Sequence, residues 1–228
     1  MRDSYDSLCG FCREFAGLDG TPFSTRYDGV LASREVWRGA ACCRVLPSIG
    51  QLSPGHLLVL PEHHITAFGQ LRAEDRREAE CAIESLRRFM ISQFGPVVLF
   101  EHGSNATSAS GGCGVLHAHL HLVPTRVQIR NRPLPEANWV RVGAQWIDRL
   151  ADFTDTGQSY VYFRDGLGAA RAASVANLPS QLVRRWLATE IGTDAWDWRS
   201  AEREPHLIDL VQELRRVQPP LGFHAPEP

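Results

Sequence analysis

The sequence predicts an α+β fold: an antiparallel sheet of about five strands with one long helix, followed by a C-terminal α/β appendage. Three observations carry this. The run His117-Ala118-His119-Leu120-His121-Leu122-Val123 alternates polar and apolar side chains, the period of a half-buried strand. Short apolar runs at 56–60 and 97–100 read as further, buried strands. Between them Leu71, Ala79, Ile83, Leu86, Phe89 and Met90 recur at roughly helical spacing, so 73–94 reads as the long helix. Mostly hairpin-like connections make the sheet antiparallel.

Taken in order, residues 1–20 carry Cys9-Gly10-Phe11-Cys12, a tight knuckle before a short loop. β-like stretches follow at Val30-Leu31-Ala32 and Ala41-Cys42-Cys43-Arg44-Val45-Leu46. Residues 47–54 are rich in turn formers, and the strand after them ends at Pro61. Gly95-Pro96 stops the long helix, and Val97-Val98-Leu99-Phe100 leads through a loop to the histidine strand. These elements make a domain over 1–130, with 131–228 as an extension. In the extension, Tyr160-Val161-Tyr162-Phe163-Arg164 reads as a strand ending in the turn Asp165-Gly166. Ser180 reads as the N-cap of a helix running to about Ile191, with Gly192 as its stop. Trp196-Asp197-Trp198-Arg199 is an aromatic-rich loop, 206–217 an amphipathic helix, and Pro219-Pro220 opens a polar tail.

Composition narrows the function. A formal charge of −2 over 228 residues gives no broad nucleic-acid surface, although a local basic pocket is compatible with it. Residues 1–6 are polar and lack the apolar stretch of a signal peptide, and the longest apolar runs are far too short to span a bilayer. A cytoplasmic protein without a membrane partner is the expectation. Six cysteines in a chain of this size read as free thiols, two of them binding metal, in a reducing compartment.

Alternate residues of a strand share a face, so the three imidazoles of 117–121 would line one side. Such a row suits a metal comb or a polar sheet surface. Gly111-Gly112-Cys113-Gly114 just upstream offers backbone amides that can cradle a phosphate. A nucleophilic imidazole beside an anion nest suits phosphoryl transfer. The Cys9/Cys12 pair is half of a tetrahedral zinc site, a redox dithiol or a chance pair, and no thioredoxin-like βαβ unit follows it.

Three segments in the same order resemble the histidine-triad (HIT) superfamily of nucleotide hydrolases and transferases: Cys9-Gly10-Phe11-Cys12, Ser53-Pro54-Gly55-His56-Leu57-Leu58-Val59-Leu60-Pro61, and the stretch from Phe100 to Thr125 with its His-x-His-x-His. The resemblance covers roughly 7–125. It implies the α+β architecture above and usually a homodimer. It also implies a structural zinc ion on Cys9, Cys12, His64 and His117, with His63 as the alternative to His64. By resemblance His119 is the nucleophile, forming a covalent nucleotidyl intermediate, and His121 binds phosphate oxygens. Ser48, His102, Asn105, Gly112, Cys113 and Gly114 are candidates for contacting the nucleotide substrate.

The chain departs from the family in two places. Cys113-Gly114-Val115-Leu116 lacks the serine or glutamine that many members place before the triad to protonate the leaving group. Ser48-Ile49-Gly50 stands where members often hold the ribose with an aspartate. From the extension, Gln181, Arg184 and Arg185 are candidates for phosphate, and Trp196 and Trp198 for base stacking or for packing. The resulting expectation is a nucleotide hydrolase acting at the α-phosphate of a dinucleoside polyphosphate or nucleoside phosphoramidate. The alternatives are a nucleotidylyltransferase with a sugar phosphate or inorganic phosphate acceptor, and a non-catalytic nucleotide-binding protein.

Overall fold

The computed structural model describes residues 5–39, 43–105, 116–125, 133–176, 178–202 and 204–226. Its centre is one antiparallel sheet of nine strands in the order β6-β8-β7-β4-β5-β3-β2-β1-β9. The strands are β1 (Trp37–Gly39), β2 (Cys43–Pro47), β3 (Leu57–Pro61), β4 (Val97–Gly103), β5 (Leu120–Pro124), β6 (Val140–Val142), β7 (Ser159–Arg164), β8 (Ala170–Val175) and β9 (Phe223–His224). The helices are α1 (Gly10–Phe15), α2 (Pro22–Tyr27), α3 (Ala73–Phe94), α4 (Trp146–Asp155), α5 (Leu182–Ile191) and α6 (Pro205–Arg216).

The expected count of about five strands is corrected to nine among the described residues. Residues 1–130 supply β1–β5, and the segment expected as an appendage supplies the other four. It lays β7 directly against β4, pairing Phe100 with Phe163 and His102 with Val161, and returns β9 to β1 at the far edge. The physical reason lies in Tyr160-Val161-Tyr162-Phe163, four consecutive buried residues. A strand apolar on both sides needs cover on both faces, which a sheet interior provides.

Strand alternation sorts the side chains onto two faces. Val97, Leu99, Leu120, Leu122, Tyr160 and Tyr162 join the main core, closed by Ile83, Leu86 and Met90 of α3, Ile147 and Leu150 of α4, and Leu210 and Leu214 of α6. Their neighbours Val98, Phe100, Val123, Val161 and Phe163 point the other way, against Val183, Leu187 and Ala188 of α5. On that second face Leu46, Leu58 and Leu60 pack under Phe11 and Phe15 of α1. The second face is therefore covered at one end by α1 and at the other by α5, with the site between them.

The long helix α3 spans the expected residues and ends at Gly95, whose φ of +88° only glycine adopts without strain. Two local expectations are corrected. Val30-Leu31-Ala32 is not a strand: both Val30 N–H and Leu31 N–H donate to Tyr27 O, closing α2, which Thr21 and Ser24 start as a capping box. The histidine strand begins only at Leu120, because Ala118 N–H donates to Ile65 O and so binds residues 117–119 to the chain leaving β3. The expected alternation of faces still holds: Ala118, Leu120 and Leu122 join the main core, whereas His117 and His119 pack against Phe11 of α1 and His119 against His121 on the second face. No helix among the described residues is long and apolar enough to cross a membrane.

Candidate functional site

His117 turns toward the N-terminal knuckle. Cys9 and Cys12, at the start of α1, meet His64 and His117, and the four ligand atoms lie within 4.8 Å of one another. The separations are Cys9 Sγ to His117 Nδ1 3.5 Å, Cys12 Sγ to His117 Nδ1 3.6 Å and Cys12 Sγ to His64 Nδ1 3.4 Å. A tetrahedron with Zn–S of ~2.3 Å and Zn–N of ~2.05 Å has sulfur–nitrogen edges of ~3.5 Å. The cluster thus fits a metal ion and is compatible with zinc. Its outer contacts agree: His117 Nε2–H donates to Pro61 O at 2.8 Å, which leaves Nδ1 as the lone pair, and His64 Nε2 lies 3.5 Å from Asp6 Oδ2. Burial pushes the Cys9 thiol up, so without a cation Cys9 resists ionisation. His64, not His63, is the histidine drawn into the cluster.

His119 and His121 face a pocket between α1 and α5, their rings 5.0 Å apart. Each tautomer follows from its partners. His119 Nδ1 lies 2.6 Å from His117 O, a carbonyl that can only accept, so Nδ1 carries the proton and Nε2 the lone pair. Leu52 N–H donates to His56 Nδ1 at 3.2 Å, which puts the His56 proton on Nε2. That proton is donated to His121 Nδ1 at 2.9 Å, so His121 keeps its own proton on Nε2. One backbone amide, passed through a buried histidine, sets the direction of a donor in the pocket. Phe100 stacks on His121 at 4.2 Å and 9°, fixing the ring plane. Burial, reinforced by the Arg184 charge, lowers the pKa of His56 and His119, and burial with the neighbouring histidines lowers that of His121. All three are neutral imidazoles at neutral pH.

The remaining candidates divide. Ser48 lines the pocket, donating its hydroxyl to Ile49 O, and His102 lines it beside His119, lowered to about 4 by burial. Asn105 lies two residues beyond β4 with its N–H on Ser159 Oγ and is not among the described residues that line the pocket. Gly112, Cys113 and Gly114 lie outside the described residues. From the C-terminal segment Gln181, Arg184 and Trp198 reach the pocket wall, whereas Arg185 stacks over Trp196 at 5.4 Å.

Sequence reasoning left His56, Phe11, Arg34 and Glu14 out of the site. The Gly55-His56 pair inside the matched strand was an available signal for His56. The others carried none, because they meet only through the fold. Arg34 donates Nε to Glu14 Oε1 at 2.7 Å and Nη2 to Glu14 Oε2 at 2.9 Å, so its charge is cancelled at the pocket rim.

No family model matches this chain. The protein hit of Bacillus subtilis (strain 168) is 30% identical over 76 residues, which are 33% of this chain and 51% of that protein. The chain thus spans about half the length of the curated relative it matches. Among solved structures, a Hit-like protein involved in cell-cycle regulation from Bartonella henselae is 17% identical with a TM-score of 0.38, over 53% of this chain and 80% of that one. SMU.412c from Streptococcus mutans UA159 is 21% identical with a TM-score of 0.40, over 67% of this chain and 85% of that one.

Proposed function

We propose that the protein is a nucleotide hydrolase of the histidine-triad type, acting at the α-phosphate through a nucleotidyl-His119 intermediate. The observation that carries this reading is the His119 tautomer: Nδ1–H is spent on His117 O, so a neutral Nε2 faces the pocket as a nucleophile. In the first step the Nε2 lone pair forms the N–P bond while the bond from phosphorus to the leaving group breaks with its electron pair. The imidazole gains positive charge, which the hydrogen bond to His117 O stabilises. His121 Nε2–H donates to a non-bridging phosphate oxygen where charge develops. In the second step water attacks phosphorus, the N–P bond breaks, and nucleoside monophosphate leaves with Nε2 again neutral.

Cys9, Cys12, His64 and His117 would hold a structural zinc ion. Four protein ligands fill the tetrahedron, so the ion supplies rigidity, joining α1 to the residues just before His119. The same cluster favours a second reading, nucleotidylyl transfer to a sugar phosphate or inorganic phosphate, because the resemblance places this ligand set in that branch as well.

The test is product analysis by mass spectrometry. Phosphoramidates, dinucleoside polyphosphates and nucleotide sugars are each incubated with and without phosphate or sugar phosphate, beside His119→Ala. Nucleoside monophosphate released in water by the parent alone establishes the hydrolase. Product seen only with an acceptor establishes the transferase, and no product in any arm refutes both.

A further inference from the structure

Two arginines border the pocket, and their charges are handled differently. Arg34 is cancelled by a two-bonded carboxylate, Glu14. Arg184, brought in on α5, is 4% exposed and has no carboxylate within ion-pair distance among the described residues. Its Nε donates to Trp196 O at 2.9 Å, and its Nη2 to Gly50 O at 2.5 Å and Ala195 O at 3.4 Å. Nη1 donates to none of the described residues, although Arg184 lines the same pocket as His119 and His121.

We infer that Arg184 is a substrate-binding residue whose Nη1 donates to a phosphate oxygen of the nucleotide. This rests on the reading of His119 given above and assigns that site its anion contact. Three neutral imidazoles supply donors and a nucleophile but no net charge. A nucleotide phosphate entering a buried pocket needs a counter-charge, and a guanidinium is the side chain that keeps its charge on burial. Carbonyls satisfy Nε and Nη2 without neutralising the cation, and Glu204 and Asp197 act on it only from beyond ion-pair distance, so Nη1 remains for the ligand. They also hold the fork in place before binding, so little side-chain freedom is lost when phosphate arrives.

The residue behind the clamp reinforces the case. Gly50, at φ +64°, gives its carbonyl to Arg184 and its N–H to Glu204 Oε2 at 3.0 Å. A Cβ at this position would stand 2.8 Å from Trp198 Cα. The turn carrying Ser48 is thus held by the C-terminal segment at both of its peptide groups, with the guanidinium at the junction.

The experiment is calorimetric titration of the full-length, metal-loaded protein with adenosine, guanosine, cytidine and uridine and with their 5′-monophosphates. The parent is expected to bind a monophosphate roughly 10- to 100-fold more tightly than its nucleoside, the range of a charge-assisted hydrogen bond. Arg184→Gln is expected to lose most of that ratio with nucleoside affinity unchanged, while Arg185→Gln, the same charge change on an exposed neighbour, keeps it. Should Arg184→Gln not fold, Arg184→Lys decides: the ratio falls at least roughly threefold because a lysine cannot hold the carbonyls and reach the phosphate together. A ratio preserved in the Arg184 variants overturns the assignment and leaves the His119 reading standing. Equal loss for nucleoside and monophosphate also overturns it, by making Arg184 a purely structural residue. A parent that shows no preference for the phosphate refutes the reading of the site itself.

Discussion

The two faces of the sheet both bury polar side chains, but to different ends. On the α3 face Glu101 is fully buried and fully occupied: it accepts from Phe68 N–H at 2.8 Å and from Tyr160 O–H at 2.7 Å. On the α5 face, one residue further along β4, His102 looks into a pocket where His119 and His121 each keep a ring nitrogen with no hydrogen-bond partner among the described residues. A polar group with every partner inside the protein specifies packing. A polar group with one partner missing, on a rigid support, is ready for a ligand. Substitutions on the α5 face should therefore cost function with little stability, and those on the α3 face the reverse.

The largest expected effect is His119→Ala, which should lower the rate of nucleoside monophosphate release by at least about 10⁴-fold. Its melting temperature should stay within a few degrees of the parent, since the ring makes one hydrogen bond among the described residues, to His117 O, and otherwise meets only the pocket-lining rings of Phe11 and His121. A large loss of stability would break the contrast between the faces. Next is the metal cluster, the one part of the α5 face expected to be structural. Cys12→Ser should abolish stoichiometric zinc in elemental analysis and lower the melting temperature by on the order of 10 °C. Activity should fall with it, because Phe11 between the two ligands lines the pocket. Full zinc content in that variant would remove the cluster from the argument. A smaller effect is expected from His56→Ala, roughly a 10- to 100-fold loss of rate, the usual cost of losing the partner that fixes an imidazole's tautomer. His56→Gln, whose amide can both accept from Leu52 N–H and donate to His121 Nδ1, should recover part of it. Equal rates for the two variants would show that the relay does not matter.

Legibility in the sequence followed the same division. Patterns that are local in the chain were readable: α3 from its helical period to Gly95 and β3 and β4 from short apolar runs, while the Cys9/Cys12 pair showed half of a metal site and the resemblance supplied His117 and His64, with His63 as the alternative. What failed depended on long-range pairing. The run Tyr160-Val161-Tyr162-Phe163 announces a buried strand but not which strand it joins, so the extension of the sheet beyond β4 could not be read. Strict alternation across 117–123 suggested one continuous strand, and tertiary hydrogen bonds at Ala118 and His117 overrode it. Arg34 with Glu14 and Arg184 with Gly50 are pairs 20 and 134 residues apart, with no signature in either partner.

The smallest expected effect on activity, and the sharpest test of the α3 face, is Glu101→Gln. Burial raises the Glu101 carboxyl from an ordinary 4.5 to about 8. Below pH 4.5 it is protonated in both the folded and the unfolded chain. Between pH 4.5 and about 8 the unfolded chain releases a proton that the folded one retains, so folding stability falls as pH rises. The slope approaches about 1.4 kcal/mol per pH unit in mid-window and flattens above the folded pKa. Glutamine cannot ionise, but it offers one acceptor oxygen where the carboxyl offers two to Phe68 and Tyr160. The variant should therefore be less stable than the parent at pH 5, by about 1 kcal/mol. Toward pH 8 the gap should close and reverse as the parent alone loses stability. Denaturant titrations at pH 5, 6, 7 and 8 measure this directly, and parallel curves for the two proteins would mean that Glu101 is ionised in the folded state. Turnover at neutral pH should be unchanged, since the carboxyl faces away from the histidines through the thickness of the sheet.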